Sequence, residues 1–361
     1  MKMENKNFRT WLDAMELSHP LVIAGPCSAE SEEQVLEIAH ELKNTDATIF
    51  RAGVWKPRTR PGSFEGNGAI ALPWLKKVKE QTGLLTAIEI ANAHHAKLAL
   101  EFDIDVLWIG ARTTVNPFAV QEIADAIQNT DKIVLVKNPI NPDLDLWIGA
   151  IERLHKKGVR NLGAIHRGFS SFRKSNYRNI PSWQIPIDLK SKYPSLPIIN
   201  DPSHICGNRT GIFDVSQTAL DLKMDGLIIE THCHPDKAWS DAKQQIKPKR
   251  LVEIMNELKV RKPQFEGKES LSKLHALRNE INAKDEQLLE TLSERMQIVE
   301  NIGKAKKESN VAVLQNSRWN EILDKVVEKG ETQGLSKIFI ERIFKAIHQE
   351  SIAHQEHIIN G

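Results

Sequence analysis

The sequence predicts an α/β chain, a (β/α)8 barrel of the TIM type followed by an all-helical domain. Eight short, β-branched apolar runs recur between residues 21 and 232. Between most of them lie stretches with apolar residues three and four apart, the spacing of one helix face. Near residue 259 the strand signals stop and only helical periodicity remains. A doubly wound sheet usually has fewer strands and a glycine-rich turn after the first, so a barrel is the better fit.

The runs, in order, are LVIAGPCS (21–28), ATIFRAGV (47–54), LLTAIEI (84–90), VLWIGA (106–111), KIVLVKN (132–138), NLGAIHRG (161–168), PIINDPSH (197–204) and DGLIIETH (225–232). EEQVLEIAHEL and VQEIADAIQ are representative of the intervening helices. KVRKPQFEGKESLS, with Pro263, Gly267 and mixed charges, reads as a linker. The domains expected are 1–258 (barrel), 259–270 (linker) and 271–361 (helices). In the last, apolar residues at 274, 277, 281, 288, 292, 296, 299 and 302 predict one helix of more than thirty residues, with shorter helices at about 317–329 and 335–355. A long helix with a stripe on one side needs a partner to bury it.

The 361 residues carry a net charge of +2, which excludes a global nucleic-acid footprint, so any anion site must be local. No stretch approaches 18 uninterrupted apolar residues, and the start MKMENKNFRTWLDAM has no signal-type apolar run, so a cytoplasmic protein is expected. Three cysteines, Cys27, Cys206 and Cys233, argue against a disulfide framework.

In (β/α)8 enzymes the chemistry sits at the C-terminal ends of the strands. Here those ends carry Cys27, Arg51, Glu89, Arg112, Lys137, His166 with Arg167, Asp201 with His204, and Glu230 with His232. The loop RAGVWKPRTRPGSFEG (51–66) adds Lys56, Arg58 and Arg60 with no acid before Glu65. Adjacent cations repel unless an anion lies between them, so the set implies a ligand bearing a phosphate and a carboxylate. Cys27, His204, Glu230 and Asp241 form a mixed S/N/O donor set that suits Mn, Fe, Co or Zn better than Mg or Ca.

GPCSAE (25–30), RAGVWKPRT (51–59), IGAR (110–112 at its end), VLVKN (134–138), HRG (166–168), DPSH (201–204) and IIETHCHPDKAWSD (228–241) resemble the 3-deoxy-D-arabino-heptulosonate 7-phosphate (DAHP) synthases of the shikimate pathway, across roughly residues 20–258. The resemblance implies condensation of phosphoenolpyruvate with erythrose 4-phosphate. It implies phosphoenolpyruvate-binding cations Arg51, Arg112, Lys137 and Arg167, with His166 and Asp201 in the substrate-facing set. In the KPRT motif, Arg58 and Thr59 hold the aldose phosphate and Lys56 lies between the substrates. Cys27, His204, Glu230 and Asp241 match the divalent-metal ligands. Proton transfer then falls to Lys56 and to His204 or His166. A relative that makes 3-deoxy-octulosonate 8-phosphate lacks KPRT, so this chain is expected to take the four-carbon sugar.

On the long helix Arg295 and Lys306 are about three turns, ~16 Å, apart on nearly one face, whereas Arg278 lies ~25 Å before Arg295 and must serve a site on a second chain if it serves one. Residues 271–361 resemble the all-helical chorismate mutases, with Arg278, Arg295, Lys306, Arg318, Ser351 and Gln355 at matching positions. The resemblance implies a homodimer in which two chains share each site. Ser351 and Gln355, four apart, share a helix face. Arginines clamp the two carboxylates of chorismate, and a cation with a glutamine stabilises charge developing on the ether oxygen. One departure stands out: the family usually has a glutamate after the arginine matching Arg318, and here Trp319 follows it, so either another group, Gln315 and Glu321 being the candidates, replaces the glutamate or the rearrangement is slow. The competing expectation is a binding module that senses chorismate or prephenate and regulates the barrel. The short segment before the barrel leaves no room for an amino-acid-binding regulatory domain, so feedback is expected through the helices.

Overall fold

The structure, a computed structural model, describes residues 6–58, 62–172, 175–262, 268–314 and 316–360, without the side chains of 268–269 and 316–318. It divides into two compact units, Met1–Pro263 and Gln264–Gly361. In the first, parallel strands β1 (Leu21–Gly25), β2 (Ile49–Arg51), β3 (Leu85–Ile90), β4 (Val106–Ile109), β5 (Ile133–Lys137), β6 (Leu162–His166), β7 (Ile198–Asn200) and β8 (Gly226–Glu230) form a closed barrel in chain order. Pairing of β1 with β8, from Leu21 opposite Gly226 to Gly25 opposite Glu230, closes it.

Alternation along each strand splits the apolar residues between two cores. Leu21 and Ile23 point inward with Ile49, Val106, Trp108, Ile165 and Ile228. Val22 and Ala24 point outward with Phe50, Leu107 and Val134, against the surrounding helices. Those helices start where side chains satisfy their free N–H groups: Ser31, Asn92 and Asp143 accept from Gln34, His95 and Leu146. The bottom of the barrel is stoppered by a four-residue helix, Thr10–Asp13, whose Trp11 indole donates to the Leu162 carbonyl at 2.9 Å.

The strands end earlier than the apolar runs do. At the upper rim the chain leaves the sheet to build loops, so Cys27, Arg167, His204 and His232 follow their strands, and Arg112 lies in a short helix, Ala111–Thr114. Gly25 permits this at β1: its φ is +144° and an added Cβ would lie 2.1 Å from the Arg51 carbonyl oxygen.

The second unit is three helices, Lys268–Glu308, Asn316–Thr332 and Lys337–Asn360. The long helix runs straight through Gly303, where a Cβ would sit 3.3 Å from Gln355 Cα. Glycine there brings the last helix close. No helix among the described residues is long and apolar enough to cross a membrane.

Candidate active sites

Arg51, at the end of β2, is buried inside the rim, donates from Nη1 to Glu230 Oε1 at 3.1 Å and from Nη2 to the Cys27 carbonyl at 3.3 Å. Glu230 also accepts from Gln244 Nε2 at 2.7 Å. Burial opposes ionisation of Glu230, but His204, Arg51 and Lys56 outweigh it and hold its pKa below the ordinary carboxylate value. Lys56 reaches in from the basic loop, with Nζ 2.9 Å from Cys27 Sγ and 3.0 Å from its carbonyl. Asp241 Oδ2 lies 3.4 Å from the same sulfur, and Arg178 donates to Oδ1 at 3.0 Å.

One donor atom from each of Cys27, Glu230 and Asp241 falls within 4.8 Å of the others. His204 Nε2 is 3.8 Å from Glu230 Oε1. Its Nδ1 lies 2.9 Å from Asp201 Oδ2, which fixes the ring with Nε2 toward the cluster. Burial, then the Glu230 charge, pushes the Cys27 thiol up to about 11. A buried thiol beside two carboxylates and an imidazole, with spacing short enough to be bridged by one ion, fits a divalent cation that would deprotonate the sulfur.

Next to this cluster a cavity of about 260 Å³ is lined by Pro57, Glu89, Arg112, Lys137, Arg167 and His204 among others. Lys137 pairs with Asp201 at 3.1 Å, and Trp108 underlies both Lys137 and Arg51, at 5.6 and 5.0 Å from its ring centre. Arg167 Nη1 donates to Asn179 at 2.8 Å. Desolvation lowers its pKa to about 10, which still leaves it charged at neutral pH. A larger pocket of about 540 Å³ opens at the opposite end of the barrel, beside Arg9, which pairs with both Asp13 and Asp225.

His166 is placed differently from the other predicted residues. It is fully buried outside the cavity lining, Nε2 donating to the Pro181 carbonyl at 2.6 Å and Nδ1 accepting from Asn200 at 3.0 Å. Arg58 donates to the Phe64 carbonyl at 2.8 Å, folding the basic loop onto itself. Thr59 lies outside the described residues. Trp108, Arg178, Asn179 and Gln244 escaped the sequence reading. Trp108 reads as strand core, and the others stand alone in loops without a recognisable spacing.

In the helical unit Arg295 Nη1 donates to Ser351 Oγ at 2.6 Å, and Lys306 Nζ to the Val313 carbonyl at 2.6 Å. Gln355 is buried, its Nε2 donating to the Ser351 carbonyl at 3.2 Å while Oε1 has no partner among the described residues. Arg278 is exposed on the far half of the long helix. The Arg318 side chain and Gln315 lie outside the described residues. Glu321 pairs with Lys325 at 2.7 Å, and Trp319 stacks on His348.

A closed barrel whose upper rim joins a cation-lined cavity to an S/N/O donor cluster defines a barrel enzyme for anionic substrates. The model of the DAHP synthetase I family matches residues 17–265, and that of chorismate mutase type II matches residues 277–356. The chain belongs to the DAHP synthetase I family and carries a chorismate mutase domain behind the barrel, so it combines two enzyme activities of the shikimate pathway. It is 31% identical over 238 residues to the phospho-2-dehydro-3-deoxyheptonate aldolase of Thermotoga maritima, covering 66% of this chain and 68% of that protein. It is 26% identical over 274 residues to the 2-dehydro-3-deoxyphosphooctonate aldolase of Nitratidesulfovibrio vulgaris, covering 68% and 93%. The crystal structure of the Thermotoga DAHP synthase superposes with a TM-score of 0.61 at 30% identity, over 66% of this chain and 68% of that one.

Proposed function

We propose that the barrel makes DAHP from phosphoenolpyruvate and erythrose 4-phosphate with a divalent metal, Mn, Fe, Co or Zn, held by Cys27, His204, Glu230 and Asp241. The observation that carries this reading is the convergence of Cys27, Glu230 and Asp241 donor atoms within 4.8 Å beside Lys56 Nζ. Bound there, the ion supplies Lewis-acid polarisation of the aldehyde oxygen. Arg112, Lys137 and Arg167 hold the carboxylate and phosphate of phosphoenolpyruvate in the cavity, while Arg51, locked to Glu230, positions the donor cluster under it. Arg58 and Thr59 hold the aldose phosphate. The cations offset repulsion between two anions and fix a near-attack geometry. C3 of phosphoenolpyruvate then bonds to the aldehyde carbon, water adds at C2, and inorganic phosphate leaves.

Lys56 is the proton donor to the new alkoxide. His204 has Nδ1 engaged by Asp201, and both nitrogens of His166 are occupied, whereas Lys56 stands at the junction of the two substrate positions. The KPRT loop favours erythrose 4-phosphate over the five-carbon acceptor of the octulosonate 8-phosphate synthases, in agreement with the heptonate relative's higher identity.

The helical unit rearranges chorismate to prephenate as a homodimer, with Arg295, Lys306, Arg318, Ser351 and Gln355 from one chain and Arg278 from its partner. A unit that binds prephenate on the same chain as the first step of the pathway also suits a feedback sensor, and prephenate should slow synthase turnover. A cytoplasmic location fits both activities, whose substrates are soluble phosphorylated or carboxylated metabolites.

Metal removal tests the barrel reading. Chelator-treated protein, freed of metal as verified by elemental analysis, should lose synthase turnover and regain it with one of the four ions, while chorismate turnover is unchanged. Full synthase activity in metal-free protein would refute it.

A further inference from the structure

The helical unit holds one aromatic pair that the cations, Ser351 and Gln355 leave unexplained. Trp319 and His348 stack face to face, ring centres 4.0 Å apart and planes within 6°. His348 precedes Ser351 by three residues and Gln355 by seven, so the three share one face of the last helix. That is the face to which Arg295 donates at Ser351. Burial first, then the charges of Arg295 and Lys306, lower the His348 pKa and favour the neutral ring, which has one donor and one acceptor nitrogen. Among the described residues neither nitrogen has a hydrogen-bond partner. The nearby buried Gln355 Oε1 also lacks one. Two unpartnered polar groups on one face beside two cations describe a site built for a ligand that is only partly anionic.

Chorismate has that character: two carboxylates, an ether oxygen and one secondary hydroxyl. Cations match the carboxylates and the ether, and a neutral imidazole matches the hydroxyl, which can pair either with its N–H nitrogen or with its bare one. We propose that His348, its ring plane set by Trp319, hydrogen-bonds the secondary hydroxyl of chorismate and is thereby a specificity-determining residue of the mutase. This rests on the reading that the mutase site surrounds Arg295.

The test is steady-state kinetics of the full chain with chorismate and with the analogue in which the hydroxyl is replaced by hydrogen. His348→Ala should lower kcat/KM for chorismate about 10–100-fold and leave that for the analogue within about twofold, because only the first substrate loses a bond. His348→Asn, which keeps a donor and an acceptor, should recover part of the loss. Trp319→Ala should erode the same discrimination by freeing the ring. Equal losses on both substrates would overturn the proposal and leave His348 a packing residue. If Arg295→Ala leaves chorismate turnover intact, the site reading itself fails, whatever His348 does.

Discussion

At the residue scale, His166 separates burial from function. A histidine at a strand end in an HRG motif reads as a rim residue, yet in β6 it follows the inward-facing Ile165, so it points out of the barrel and is sealed by Pro181, Asn200 and the Trp183 ring. Desolvation lowers its pKa to about 4. An unfolded chain binds its proton near 6.5, so between those values the unfolded state holds more protons and stability falls as pH falls. The contribution, about 3 kcal/mol at most, is full above about pH 6.5 and is lost by the time pH falls to about 4. Urea unfolding of the barrel should therefore weaken across this window, and His166→Gln should flatten the dependence even though its stability at pH 7 is lower. An unchanged slope in the variant would assign the acid sensitivity to other groups. Asp201 shifts in the same direction for a different reason: burial works against its charge, but His204, Lys137 and Arg51 hold it ionised far below the ordinary carboxylate value.

At the scale of elements, glycines mark where chain segments must nearly touch. Gly303 interrupts no hydrogen bond of the long helix, but its missing Cβ lets Gln355 and Ile358 approach, with contacts of 3.3–3.4 Å for an added carbon. Alanine there trades a helix-propensity gain of up to ~1 kcal/mol against a shift of a few tenths of an ångström. Valine has no such compensation and must push the last helix away, taking Ser351 and Gln355 from Arg295. Gly303→Val should cut chorismate kcat/KM by tenfold or more while each chain's synthase activity persists. Retention of mutase activity would mean that the last helix does not need this approach. The eight strands were legible because a sheet buried on both faces demands continuous β-branched runs. Their ends were not, since Cys27 and Arg167 follow the apolar runs directly in sequence although the backbone has already left the ladder at Gly25 and His166. The Thr10–Asp13 stopper is too short to show a period. His348 read as one more histidine, because the contact that orients it comes from Trp319 on another helix.

At the scale of the molecule, the two units differ in how completely they bury themselves. The barrel has two continuous apolar cores, inside and outside its strands. The helical unit has few buried apolar residues, Val299 and Ile340 among them, while Leu277, Ile281, Leu288 and Leu289 of the long helix stay 48–67% exposed. A helix of 41 residues cannot leave that surface in water without a partner, since helices gain most of their stability from packing an apolar face. The homodimer we propose supplies one: a second long helix would cover these residues and carry Arg278 into the neighbouring site, which its own chain's helix keeps ~25 Å from Arg295. Charging the stripe tests this without touching any residue assigned to chemistry. Ile281→Glu with Leu288→Glu should abolish dimerisation through this unit, seen by sedimentation as a smaller species, and chorismate turnover should fall by more than a hundredfold as each site loses its partner's arginine. Synthase turnover at saturating substrates should persist, because its ligands and cations all come from Met1–Pro263. An unchanged assembly with full mutase activity would remove the shared site and return Arg278 to a solvated face.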